Sequence, residues 1–214
     1  MHILKILLHT SNDKIRSILK SYGHELVNKD YTNPDYIICY RTYSIIPMEV
    51  IHRAKIGAIN FHTGPPEYPG RGSVNHALYH NKTEFGVTTH IMTHPIDSGQ
   101  ILDVRLFDID IDDNVESLWV KTEENLLNMF TDFCMGLSEP EYLSMKIAQN
   151  ANKKWKGKAN KMKEIDKLQV VPLNCNEKEL KRIIRSTYTP EFRPKIIMHG
   201  YEFVMKEIET KDKK

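Results

Sequence analysis

The stretch INFHTGPPEYPGRGSVNHAL, Ile59–Leu78, sets an apolar run against a rigid loop and then resumes at helical spacing. Ile56 to Phe61 has the length and apolarity of a buried strand. Asn60 and His62 stand two apart at its end, so on a strand they project to one face. Pro65, Pro66 and Pro69, with Gly64, Gly70 and Gly72, then build a stiff turn, and Val74–Tyr79 reads as a helix. Strand, loop and helix in that order are one unit of a parallel α/β sheet.

The neighbouring segments extend the pattern on both sides. Ile3–His9 reads as a strand, followed by a helix over Lys14–Tyr22 that Asn12 or Asp13 caps and Gly23 ends. Asp35-Tyr-Ile-Ile-Cys-Tyr40 is a second strand, and Pro47 opens a helical segment over Met48–Ala54. Phe85–Met92 and Gln100–Ile109 are β-branched strands, and Asp113 or Asn114 caps a long helix from Val115 to about Met135. The fold class expected is α/β: a Rossmann-like, mostly parallel sheet with helices on both faces and a small C-terminal extension. The catalytic domain is expected over 1–150. From Asn150 the composition turns Lys-rich, and 151–214 is read as an extension holding a helix at Glu177–Arg185 and a hairpin at Lys195–Ile208.

Composition excludes several function classes. The chain has 214 residues and a net charge of +2, which gives no footprint for nucleic acid. No segment approaches the roughly 20 apolar residues of a membrane span, and Ile3–Leu8 is too short for a signal peptide. The three cysteines, Cys39, Cys134 and Cys175, lack metal-ligand spacing and suit a reducing compartment, so a cytoplasmic protein is expected.

The carboxyl ends of parallel strands form the ligand crevice of such sheets, which places Asn60 and His62 where chemistry is done. An amide can donate to a developing oxyanion, and an imidazole can relay a proton near neutral pH. Asp97, in the loop His94-Pro-Ile-Asp97-Ser-Gly99, can reach back and orient that imidazole, although Asp-x-Gly also reads as a plain turn. The pairs His76/His80 and His90/His94 do not supply three convergent ligands, so no metal is expected. There is no dinucleotide fingerprint, Walker motif or nucleophile elbow, and Asp108, Asp110, Asp112 and Asp113 read as structural.

Taken together, Asn60-x-His62, the loop Gly64-Pro-Pro-Glu-Tyr-Pro-Gly-Arg-Gly72, Val74-Asn-His-Ala-Leu-Tyr79, Phe85-Gly-Val-Thr-x-His90 and Ile96-Asp-Ser-Gly-Gln-Ile101 resemble the formyltransferase family that uses N10-formyltetrahydrofolate. The resemblance runs from about Asp35 to Leu127 and is nearest in flavour to sugar N-formyltransferases of surface-glycan synthesis. It departs at Thr63, where the family usually has proline, and the N-terminal section is shorter than usual. The resemblance implies catalytic roles for Asn60, His62 and Asp97. It implies folate contacts from Arg41, Tyr43, Ser44, Ile45, Ile46, Thr93, His94, Ile96 and Asp97. Substrate contacts are expected from Tyr68, Arg71, Asn75, Tyr79 and Trp155, with packing of the linker as the other reading of Trp155. The implied acceptor is a nucleotide-linked amino sugar such as dTDP-4-amino-4,6-dideoxyglucose, for O-antigen, with a homodimer formed through the C-terminal hairpin. Glycinamide ribonucleotide as acceptor, a formyltetrahydrofolate hydrolase and a non-catalytic folate-binding module are the alternatives.

Overall fold

The computed structural model describes residues 2–42 and 44–206. Its first strand, β1 (Lys5–His9), alternates its side chains between two cores, Ile6 and Leu8 to one side and Leu7 to the other. Asn12 caps α1 (Asp13–Ser21) by accepting from the Lys14 backbone N–H at 2.9 Å, and Gly23 at φ 77° turns the chain out of the helix. A three-residue edge strand follows, β2 (Glu25–Val27), which is too short to show a period in the sequence. Then come β3 (Tyr36–Tyr40), the single-turn α2 (Met48–Ile51), β4 (Gly57–His62), α3 (Ser73–Tyr79), β5 (Glu84–Ile91), β6 (Ile101–Asp108) and the 22-residue α4 (Val115–Gly136). Asn114 is the α4 cap, in a capping box with Ser117.

The sheet order is β2-β1-β3-β4-β5-β6, parallel through β4, with β5 antiparallel to both of its neighbours. The sheet is therefore mostly parallel, with helices on both faces. One face is covered by α1 and α4: Ile38, Ile59 and Phe61 meet Ile15, Leu19, Phe130 and Phe133. Edge-to-face rings fill its centre, Phe61 to Phe130 at 5.0 Å and Phe61 to Phe133 at 5.4 Å.

On the opposite face, Val50 and Ile51 of α2 pack over Leu7, Ile37 and Ala58. Ala58, Asn60 and His62 share that face of β4, because Ile59 and Phe61 point to the other. Four residues of α2 are enough to cover Ala58 and too few to reach the strand end. Beyond that cover the strand end carries Asn60, half-buried, and His62, buried.

After α5 (Tyr142–Gln149) the chain returns across this end of the sheet. The Lys-rich segment contains a helix absent from the sequence reading, α6 (Met162–Leu168), followed by α7 (Glu177–Thr187). Residues 156–160 lie along the loop after β4: Lys156 N–H donates to Pro66 O at 2.8 Å and Asn160 N–H to Pro69 O at 2.9 Å. A hairpin, β7 (Lys195–Met198) and β8 (Tyr201–Val204), turns through His199 and Gly200, both at positive φ. The expected hairpin ran to Ile208, and its last two residues lie outside the described residues. Among the described residues no helix is long and apolar enough to cross a membrane.

Candidate active site

Four polar side chains meet at the end of β4. Asp97 is buried at 7% exposure and stands at φ 47° in the loop between β5 and β6. Its Oδ2 accepts from the Gly70 N–H at 2.7 Å and lies 3.3 Å from His62 Nδ1. Its Oδ1 lies 3.1 Å from His90 Nε2 and accepts from Asn60 Nδ2 at 3.5 Å. The same Asn60 amide is 3.0 Å from His90 Nε2. Asn60, His62 and Asp97, expected to act together, are brought together.

His90 is the member that the sequence reading did not assign to the site. It faces Asn60 directly in the antiparallel register of β4 and β5, so the two side chains emerge side by side. A signal existed in the Phe85-Gly-Val-Thr-x-His90 motif, but only the reversed direction of β5 reveals what it touches.

Local backbone chemistry holds the group in place. A Cβ on Gly64 would lie 2.8 Å from His62 Nε2 and 2.7 Å from Ser73 Cβ, so only glycine lets the loop pass this close to the ring. Gly70, at φ 84°, presses against the Asn160 backbone and offers its N–H to Asp97. His62 Nε2 lies 3.0 Å from the Tyr68 carbonyl.

Burial works to raise the Asp97 pKa, but the neighbouring His62, the hydrogen bond and charge of His90, and the Gly70 N–H outweigh it. They hold the carboxyl well below the ordinary carboxylate range, so it is ionised. For His62, burial pushes the imidazole below its ordinary value against the pull of Asp97. Both of its ring nitrogens nevertheless face acceptors, the Tyr68 carbonyl and the Asp97 carboxylate. With an acceptor at each nitrogen, the ring has partners in place for both of its protons.

Asn60, His62 and Asp97 line one cleft of about 840 Å³. Its lining includes Arg41, Ser44, Ile45, Ile46, Thr93, His94 and Ile96 from the loops after β3 and β5, residues that the resemblance names as folate contacts. Tyr43 lies outside the described residues. The same cleft is also lined by Arg71, Asn75, Asn160, Lys161, Gln169 and Thr187. The last four residues belong to the C-terminal segment, whose Lys-rich composition did not announce them.

Three residues expected as substrate contacts have their side chains engaged with other parts of the protein. The Tyr68 ring is buried in the core beneath α3, with its hydroxyl 3.1 Å from His80 Nδ1; its backbone carbonyl is what serves the site. Tyr79 faces α7, where Arg182 stacks over it at 4.3 Å. Trp155 does not line the cleft; it lies edge-on to His62 and His90. Asn75 borders the cleft while donating to the Ser186 carbonyl at 2.8 Å. Among the described residues no group of three or more His, Cys, Asp or Glu side chains is arranged to hold a metal ion.

The chain is similar to known proteins in sequence and in fold. A methionyl-tRNA formyltransferase of Ehrlichia ruminantium (strain Gardel) is 37% identical over 87 residues, 40% of this chain and 29% of that protein. The chain spans only 29% to 34% of the length of the curated relatives it matches. Among solved structures, a sugar N-formyltransferase from Shewanella sp FDAARGOS_354 superposes with a TM-score of 0.70 at 15% identity, over 96% of this chain and 98% of that one. The N-formyltransferase of Helicobacter canadensis, in complex with folinic acid and dTDP-3-aminofucose, gives 0.65 at 16% identity, over 93% and 85%. At such identities the likeness establishes the fold. The sequence model of the formyl transferase family matches residues 18–132, more than half of the chain, and the chain belongs to that family.

Proposed function

We propose that this protein transfers a formyl group from N10-formyltetrahydrofolate to the amino group of a nucleotide-linked amino sugar. The acceptor we favour is dTDP-4-amino-4,6-dideoxyglucose, formylated in the cytoplasm for O-antigen and similar surface glycans. The observation that carries this reading is the contact of Asn60, His62 and Asp97 with one another in the lining of a single large cleft. That the Helicobacter canadensis structure holds a folate and a dTDP-linked amino sugar together supports it.

The residues present suit both ligands. Ile45, Ile46 and Ile96 offer apolar walls for a flat pterin, and the loop backbones around them offer hydrogen-bonding edges. Lys161 and Arg71 bring positive charge, and Asn160, Gln169 and Thr187 hydrogen-bonding groups, to the same cleft, as a nucleotide diphosphate needs.

Bound formyl-folate supplies an activated formyl carbon; the acceptor nitrogen bonds to it, the bond to N10 breaks, and one proton leaves the amine. Asn60 Nδ2, half-buried at the cleft floor, donates to the formyl oxygen as negative charge develops there. His62 relays the proton given up by the amine to N10 as that nitrogen departs, and Asp97 holds the ring and stabilises its protonated form. Two copies pair through the hairpin, where Tyr201, Phe203 and Val204 leave apolar surface exposed.

The test is tetrahydrofolate release measured with and without a panel of nucleotide-linked amino sugars. Release that requires a sugar supports the proposal. Release without any acceptor would make the protein a hydrolase, and release that requires aminoacylated initiator tRNA would give it the acceptor of its curated relatives. No release under any condition would leave a folate-binding module.

A further inference from the structure

We infer that Trp155 is a positioning residue for the His62–Asp97 pair, closing the pair on a side that does not open on the cleft and tying down the loop that carries Asp97. The inference deepens the formyl-transfer reading and rests on it.

Three contacts carry it. The half-buried Trp155 ring stands edge-on to His62 at 5.6 Å between centroids and 70° between planes. It stands edge-on to His90 at 4.9 Å and 87°. Its Nε1–H donates to the Gly99 carbonyl at 2.8 Å. Gly99 is itself pressed onto β5, since a Cβ there would lie 2.0 Å from the Ile91 carbonyl oxygen. One indole thus covers two imidazoles and anchors the turn two residues beyond Asp97.

The chain leaving Trp155 holds the second loop of the site. Lys156 N–H donates to Pro66 O, Asn160 N–H to Pro69 O, and Arg71 N–H back to Asn160 O at 3.0 Å. Between Pro66 and Arg71 lie the Tyr68 carbonyl that faces His62 and the Gly70 N–H that binds Asp97. Residues 155–160 therefore strap together both loops that surround His62, so that they keep one geometry. The groups facing His62 are Asp97 from the loop after β5, His90 from β5, the Tyr68 carbonyl and the Trp155 edge. Removing the indole admits water to the ring and frees the two loops from each other. Misplacement of a catalytic group by about 1 Å can cost about 100-fold in rate.

The experiment compares Trp155→Ala and Trp155→Phe with the full-length protein. The His62 ring is titrated by NMR, its signal identified by its loss in His62→Asn, and kcat and acceptor KM are measured. In Trp155→Ala the His62 midpoint is expected to move up toward the ordinary histidine value as burial is relieved. Its kcat is expected to fall by up to about 100-fold with acceptor KM unchanged. A folded Trp155→Ala with an unmoved His62 midpoint overturns the inference. So does a raised acceptor KM at unchanged kcat, which would make Trp155 an acceptor contact. Should Trp155→Ala not fold, Trp155→Phe carries the test, since it keeps an aromatic edge and loses only the Gly99 bond. Its kcat is expected to fall at unchanged KM, and an unchanged kcat overturns the inference. The titration needs no turnover, so failure of the transferase reading itself would leave this result separately readable.

Discussion

Asp97→Asn tests the site most directly, because it removes a charge and no volume. Oδ2 accepts the Gly70 N–H at 2.7 Å, and Oδ1 sits among His90 Nε2 and Asn60 Nδ2 at 3.1 and 3.5 Å. An amide can keep its oxygen toward Gly70, which turns its NH2 toward His90. That NH2 also meets the Asn60 amide, which already points at His90 Nε2 at 3.0 Å, so one N–H is left without an acceptor. The volume is unchanged, so the variant is expected to fold at reduced stability. What it loses is one set of charge-assisted hydrogen bonds, about 1.5–3 kcal/mol at pH 7. In a protein of this size that corresponds to a Tm lower by about 3–12 °C.

Catalysis loses far more, because the anion that stabilises protonated His62 is gone. A kcat about 10²–10⁴-fold lower is expected in the tetrahydrofolate-release assay. The pH dependence has a definite sign. The Asp97 value is depressed in the folded protein, so its stabilisation is full above the ordinary carboxylate range and is lost as pH falls through the folded value. The Tm difference between wild type and variant should therefore be widest near neutrality and close on acidification. A folded variant with wild-type kcat, or a gap that widens in acid, would refute the reasoning.

Two further substitutions address the supports of this group. His90→Leu removes the ring within 3.0–3.1 Å of Asn60 and Asp97, and kcat should fall by up to about 100-fold while the thermal transition stays cooperative; an unaffected kcat would return His90 to the role of a buried packing residue. Gly64→Ala forces a Cβ to within 2.8 Å of His62 Nε2, so the ring must move. Overpacking of this kind costs about 1–3 kcal/mol, and calorimetry together with kcat should show a modest stability loss beside a large activity loss; a variant matching wild type in both would mean that the loop does not hold the ring.

The reading from residues succeeded where the determining forces are local. The short continuous apolar runs at β1, β3 and β4, the Asn12 and Asn114 caps and the turn at Gly200 each depend on a few adjacent residues, so they are legible in order along the chain. The pairing of Asn60 with His62 is legible for the same reason, since alternation on one strand dictates it. Strand β2 and helix α6 left no such trace: one has three residues, and the other is a seven-residue helix in a Lys-rich segment that buries only Ile165.

The contacts that turn the pair into a site are of another kind. His90 reaches Asn60 because β5 runs against β4, and a register between strands thirty residues apart is not written in either strand. Asp97 reaches His62 through a residue in left-handed conformation and a backbone N–H from a loop 27 positions away. Tyr68, which looks like a substrate contact, turns its ring into the core, and Trp155 closes over the two histidines from the C-terminal segment. Sequence order carries the fold and names three of the four central residues. Which side chains share one buried volume depends on how distant segments pack, and the ionised Asp97, the buried His62 and the cleft they line all follow from that packing.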